Sequence, residues 1–137
     1  KRMPERKFLA VKGSYGEQIL ENLPNVSVIE NTPDIREVYK KTRILLMPSE
    51  YESWGRTATE AMANGIPVIA NKTFGLNENL SDAGLWCERE NIDQWVTMIK
   101  KLDTKKEYNE QSKKVKSRAK ELDSAHAFFF SRNNGRT

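Results

Sequence analysis

The chain holds one cysteine, Cys87, and one histidine, His126, in 137 residues. A lone thiol closes no internal disulfide, and His126 has no second histidine or cysteine to complete a metal or triad set. No metal is therefore expected, and His126 is read as structural or exposed. Long hydrophobic runs are also missing: none approaches the roughly 20 residues that span a bilayer. The opening Lys1-Arg2-Met3-Pro4 leads into no signal-peptide core. These scarcities predict a reducing, cytoplasmic setting, with Cys87, in the apolar Leu85-Trp86-Cys87, as a buried and inert thiol. Internal repeats and low-complexity linkers are absent too.

What is present is an ordinary globular composition, 37% hydrophobic and 31% charged, in one domain's length of chain. The net charge of +4 is unevenly placed: Lys100 to Glu121 carries nine Lys/Arg against four Asp/Glu, leaving the remainder at −1. Glu107, Glu110 and Glu121 break that run, which favours a solvated helix face. Only Tyr108 interleaves an aromatic with the basic residues, so no nucleic-acid partner is expected. A basic helix also suits an anionic membrane surface, and peripheral membrane contact by the intact protein is kept as an expectation.

Short, near-continuous apolar runs recur at Phe8–Val11, Val26–Ile29, Ile44–Met47, Val68–Ala70 and Leu85–Cys87. Such runs predict strands buried on both faces. Helical patterns lie between them. Glu17 to Leu23 groups Ile19, Leu20 and Leu23. Asp34, with Glu37 three residues on, caps a helix whose Ile35, Val38 and Tyr39 face inward. Thr57 to Asn64 forms a third helix, and Asn91 caps a fourth with Ile92, Trp95, Val96, Ile99 and Leu102 on one stripe. Strand and helix in alternation predict an α/β fold: a Rossmann-like parallel sheet of about five strands, covered by helices on both faces. A last helix from about Lys105 to Leu122 has only a thin apolar line through Tyr108, Ser112, Val115, Ala119 and Leu122, and is expected to pack weakly. The domain is expected to span 1–123, and 124–137 to form a tail with an apolar anchor at Ala127–Phe130.

Chemistry concentrates between Pro48 and Asn71. Gly55, Arg56 and Thr57 stand where a strand's carboxyl end passes into a helix, the place where ligands of doubly wound sheets bind. Unpaired N–H groups and the positive end of the helix dipole attract phosphate there. Gly55 allows close backbone approach, and Arg56 offers a charge-assisted bond to a diphosphate. Glu52 and Glu60, eight positions apart, would repel phosphate and suit hydroxyls instead. One acid for a ribose, one for a sugar, and a diphosphate between them is the layout of a sugar-nucleotide site. The plainer reading of Glu60 is a capping box, Thr57-Ala-Thr-Glu60; that of Glu52 is a solvated loop acid. Gly65 is read as a helix stop and Pro67 as a strand start. A second loop, Asn71 to Glu78, should open on the same rim, with Gly75 for close backbone approach, Glu78 either for a sugar or to start the helical turn after it, and Lys72 for phosphate.

The stretch Glu52-Ser-Trp-Gly-Arg-Thr-Ala-Thr-Glu60-Ala-Met-Ala-Asn-Gly-Ile-Pro-Val-Ile-Ala70 resembles the Glu-x7-Glu signature of retaining nucleotide-sugar glycosyltransferases of the GT-B class, especially family 4. Asp34 to Ser49 is similar to the helix and strand before that motif, and Gly75-Leu-Asn-Glu78 to the Gly-x-x-Glu loop after it. The resemblance covers about residues 7 to 103 and implies the C-terminal, donor-binding half of a GT-B fold. It implies Glu52 as the catalytic acid beside the transferred sugar and Glu60 on the ribose. Ser53, Gly55, Arg56, Thr57, Gly75 and Glu78 complete the implied donor-binding set, and the Glu30–Asp34 turn lies near the base. No cofactor or metal is implied; the donor is a UDP-, GDP- or ADP-hexose. The acceptor, a glycan or lipid-linked sugar, is expected to be held by an N-terminal domain missing here. Also missing is the family's first donor-domain strand with its diphosphate-gripping Arg and Lys; either five strands close up in the order 2-1-3-4-5 or the intact protein supplies the sixth. This chain alone is expected to bind donor weakly and transfer nothing. The alternative is a non-catalytic nucleotide-sugar-binding or partner-binding module of the same fold. A non-hydrolysing sugar-nucleotide epimerase is disfavoured by the Glu-x7-Glu spacing.

Overall fold

The computed structural model describes residues 1–11, 23–29, 35–48 and 55–134, with side chains through residue 124. They form two compact units, residues 1–40 and 41–137. The expected helix from Glu17, the Asp34 cap and the Glu30–Asp34 turn lie outside the described residues.

In the first unit, β1 (Phe8–Val11) and β2 (Val26–Ile29) pair in parallel, Phe8 opposite Val26 and Val11 opposite Ile29. Asn25 fixes the entry to both strands. Its Nδ2 donates to the carbonyls of Met3 and Arg6 at 3.0 and 2.8 Å, and its own carbonyl accepts from Phe8 N at 2.9 Å. The helix α1 (Ile35–Lys40) buries Tyr39, as its apolar spacing predicts. Its Glu37–Lys40 pair is exposed, and such pairs contribute little.

The second unit holds β3 (Leu45–Met47), β4 (Val68–Ala70) and β5 (Leu85–Trp86), a parallel sheet in the order β3-β4-β5. All five predicted strands are present, each within one residue of the expected bounds, and every pairing is parallel. They form two sheets, one per unit, and within each the neighbours are those of the 2-1-3-4-5 order. The middle strand β4 is wholly buried, which is why its sequence runs apolar without alternation.

Helices α2 (Arg56–Ala63), α3 (Phe74–Leu80), α4 (Ile92–Lys101) and α5 (Lys105–Asn134) flank this sheet, with a 3-10 turn at Ser81–Ala83. Gly65 stops α2 as expected. At φ +72° it lets its own N–H reach the Met62 carbonyl at 2.9 Å while Ile66 N–H reaches that of Ala61 at 3.0 Å, the two bonds of a Schellman ending. Pro67 follows where its carbonyl still serves the sheet, accepting from Leu45 N at 2.9 Å. Asn91 caps α4 through a bond from Gln94 N at 3.2 Å. Trp95, Ile99 and Leu102 are buried as predicted, but Ile92, the first residue of the helix, is 54% exposed.

The last helix departs most from expectation. Predicted to end near Leu122, it continues to Asn134, so the boundary expected at residue 123 falls inside an unbroken helix. It is also firmly held through residue 118. Among its described residues Val115 is the one fully buried apolar side chain; Ala119 and Leu122 are half-buried, and polar side chains along the same seam reach carbonyls of other segments. Tyr108 Oη donates to the Arg43 carbonyl at 2.9 Å. Gln111 Nε2 donates to Ala83 O and Ser112 Oγ to Gly65 O, both at 2.7 Å. Arg118 closes the C-terminal end of α3, donating from Nε to Asn79 O and from Nη2 to Glu78 O, both at 2.8 Å. A basic side chain on the last carbonyls of a helix is a favourable C-terminal partner. Arg118→Ala should therefore lower stability by about 1–2 kcal/mol in urea denaturation, whereas Lys113→Ala, on the exposed side of the same helix, should change it by less than about 0.5 kcal/mol. Burial pushes the Tyr108 phenol up, against the opposing charge of Arg43, whose guanidinium carbon lies 3.9 Å from the ring centre.

Candidate functional site

Adjacent parallel strands in register bring their following loops to one rim. Met47 of β3 stands opposite Ala70 of β4, and Asn71 N–H still reaches the Met47 carbonyl at 2.9 Å. The chain leaving β3 enters α2 and the chain leaving β4 enters α3, so both helices begin at the carboxyl edge of the sheet.

The start of α2 is built on Gly55. This residue is the N-cap, in the left-handed region at φ +86°, ψ +63°, and it supplies no side-chain cap. The first turn, Arg56-Thr57-Ala58, thus begins without the hydroxyl or carboxylate that usually accepts from its amides. Arg56 and Thr57 are exposed, while Gly55 and Ala58 are buried. The capping-box reading of Thr57 and Glu60 is overturned: Thr57 lies inside the helix as its second residue, and Glu60 is the fifth, too far along to fold back on the cap. Glu60 is half-buried, about 6 Å along the axis from Arg56.

What holds Gly55 there is α3. A Cβ on Gly55 would stand 2.5 Å from Leu76 Cδ2, and Leu76 is fully buried. Buried Asn79 donates from Nδ2 to the Gly55 carbonyl at 3.0 Å and to Thr59 Oγ1 at 2.8 Å. Since Arg118 grips Asn79 from the other side, a chain of contacts runs from α5 through α3 to the Gly55 turn. Neither Asn79 nor Arg118 was singled out by sequence reasoning. No local motif marks either residue, because their partners are carbonyls 24 and 39 positions away.

Three cations stand on segments that follow the strands at this rim: Arg56, Lys72 and Arg89. Lys72 Nζ lies 5.7 Å from the centre of the Trp86 ring, so this cation leans toward β5. The Trp86 ring in turn lies over Gly84, where a Cβ would come within 2.6 Å of it. Arg89, which sequence reasoning passed over, reaches back from beyond β5 to donate from Nε to the Pro48 carbonyl at 3.0 Å, where the acidic loop begins. Its position directly after a strand was the available signal.

Of the predicted site residues, Gly55, Arg56, Thr57 and Glu60 are gathered on one helix start; Glu52 and Ser53 lie outside the described residues. Gly75 and Glu78 are placed differently from expectation. The predicted loop Asn71–Glu78 is a loop only to Thr73, whose Oγ1 accepts from Leu76 N at 3.2 Å and starts α3. Gly75 is buried in the first turn of that helix, and Glu78 is exposed one turn further on. Cys87 is buried, and burial pushes its thiol up, as suits an inert side chain. Among the described residues no group of three or more His, Cys, Asp or Glu could hold a metal ion, and no described helix is long and apolar enough to cross a membrane.

A parallel α/β sheet whose carboxyl rim carries a helix start led by a glycine, with no side-chain cap from that residue, is an arrangement that suits an anion. The chain matches the glycosyl transferases group 1 family over residues 16–122 and belongs to that family. It is 30% identical to an uncharacterised glycosyltransferase of Haemophilus influenzae over 113 residues, 75% of this chain and 31% of that protein. It is 34% identical to a D-inositol 3-phosphate glycosyltransferase of Corynebacterium kroppenstedtii over 71 residues, 50% of this chain and 16% of that protein. Sucrose-phosphate synthase from Thermosynechococcus elongatus shares the fold, with a TM-score of 0.68 at 23% identity over 82% of this chain and 30% of that one. The fold is thus that of GT-B glycosyltransferases, and the chain spans about a third or less of the proteins it matches.

Proposed function

We propose that this chain is the donor-binding half of a retaining glycosyltransferase that takes a hexose from a nucleotide-sugar. The observation that carries the reading is the Gly55 turn: a helix start whose N-cap residue supplies no side-chain cap, with Arg56 and Thr57 exposed beside it. Family membership supports it. In this account the amides of Arg56, Thr57 and Ala58 hold the diphosphate and stabilise its growing charge as the bond to the sugar breaks. Glu60 accepts hydroxyl hydrogen bonds from the ribose. Glu52, eight residues earlier, faces the transferred sugar and stabilises its transition state, with Ser53, Gly75 and Glu78 completing the donor contacts. Preorganised dipoles do this work at the diphosphate, so no cofactor is needed.

The acceptor, a glycan or lipid-linked sugar, is held by another part of the longer protein, which works in the cytoplasm or against a membrane surface. This chain alone binds donor and transfers nothing. The reading is tested in the longer protein by Glu52→Ala. Affinity for the bare nucleoside diphosphate should stay within about twofold while transfer falls by about a hundredfold or more. A variant that transfers sugar as well as its parent would remove Glu52 from the chemistry.

A further inference from the structure

Among the described residues, Asn79 is the one polar side chain with no exposure at all. It lies on α3, which packs on α2. The other fully buried side chains of the two helices are apolar: Leu76 and Leu80 on α3, and Ala58, Ala61 and Met62 on α2. A leucine has the same branched shape and suits such an interface, because the bonds of a buried carboxamide do little more than offset its loss of water. Packing alone therefore does not account for an asparagine here. Its Nδ2 donates to Gly55 O at 3.0 Å and to Thr59 Oγ1 at 2.8 Å, two acceptors four residues apart on α2. The Thr59 hydroxyl turns back to the Gly55 carbonyl at 3.5 Å, and the Thr59 N–H reaches it at 3.2 Å. Apolar contact lets helices slide and roll on one another, whereas two directional bonds to successive turns resist both motions.

We infer that Asn79 is a positioning residue of the diphosphate site: its carboxamide fixes the roll of α2 and so aims the first-turn amides. The Gly55 carbonyl that it holds shares one peptide plane with the N–H of Arg56, the first of those amides. In a planar trans peptide the N–H points opposite to the C=O, so gripping the oxygen sets the direction of the Arg56 N–H. Glycine is the residue whose flanking peptides rotate most freely, and the bond from Asn79 removes that freedom. Donors aimed before charge appears stabilise it without reorganising. Arg118 completes the support, since its bonds to the Asn79 and Glu78 carbonyls hold α3 itself. The inference rests on the donor-site reading, because it names the residue that aims the amides placed there on the diphosphate.

The test titrates this chain and its Asn79→Leu and Thr59→Val variants by calorimetry with UMP and UDP, GMP and GDP, and AMP and ADP. The ratio of monophosphate to diphosphate Kd reads what the site gains from the second phosphate. Asn79→Leu keeps the shape and removes both bonds, and should cut that ratio about tenfold. Thr59→Val removes one of the two acceptors and should cut it about threefold. In the longer protein Asn79→Leu should lower kcat more than it raises KM, because well-aimed amides gain most as charge develops on the leaving diphosphate. A purely structural Asn79 would move the melting temperature alone. Variants that keep the parent's ratio and kcat would overturn the positioning role and leave the diphosphate site standing. Thr59→Val, a swap of near-equal shape at a half-buried residue, decides the matter by the same ratio if Asn79→Leu does not fold. Failure of the parent chain to bind any nucleoside diphosphate would overturn the donor-site reading and this inference with it.

Discussion

Gly55→Ala is expected to cost about 2–5 kcal/mol of stability and to weaken nucleotide binding along with it. Two independent costs add. At φ +86° an alanine must adopt the left-handed conformation, worth roughly 1–2 kcal/mol for a residue with a Cβ. That Cβ also arrives 2.5 Å from Leu76 Cδ2. A surface leucine would swing aside, but Leu76 is wholly enclosed, so relieving the clash moves α3 or α2, at about 1–3 kcal/mol. Movement of either helix breaks the Asn79 bond to the Gly55 carbonyl and re-aims the first-turn amides. Urea denaturation reads the first effect and nucleoside diphosphate titration the second. A midpoint equal to that of the parent would show that Gly55 is not held as described.

Glu60→Gln is expected to weaken nucleoside diphosphate binding about tenfold or more while changing stability by less than about 0.5 kcal/mol. A carboxylate accepting from ribose hydroxyls makes charge-assisted bonds worth about 1.5–3 kcal/mol, and an amide of the same shape loses most of that. The capping-box alternative for Glu60 does not hold, since Gly55 stands at the N-cap position and the fifth residue of the helix cannot close such a box. A purely structural Glu60 would give the opposite pair of results: lower stability and unchanged affinity. Measuring both quantities on one preparation separates them.

The strands, the end of α2 and the start of α4 were legible because local chemistry specified them. Val68-Ile69-Ala70 reads as a central strand from its unbroken apolar run, Gly65 as a left-handed stop, and Asn91 as a cap, each within a few residues of the feature it controls. The stretch 74–78 was read as loop because glycine at 75 and asparagine at 77 score poorly for helix. Thr73 capping and the burial of Leu76 and Leu80 outweigh that propensity. The holding of α5 was invisible for a different reason. Its thin apolar line predicts weak packing, while Gln111, Ser112 and Arg118 are secured by carbonyls of Ala83, Gly65 and Asn79 that only the fold brings near. The acidic motif pointed to the candidate site; the residues that hold the Gly55 turn in shape, Asn79 and Arg118, carry no signature of their own.

The central claim is that the α2 start receives a nucleotide diphosphate. The most direct test is an amide NMR titration of this chain with UDP, GDP and ADP in turn. The account predicts saturable shifts at Gly55, Arg56, Thr57 and Ala58 with at least one of them, smaller shifts along the exposed lysines of α5, and none at Cys87. No saturable shift at the α2 start with any nucleotide, or shifts confined to α5, would contradict it.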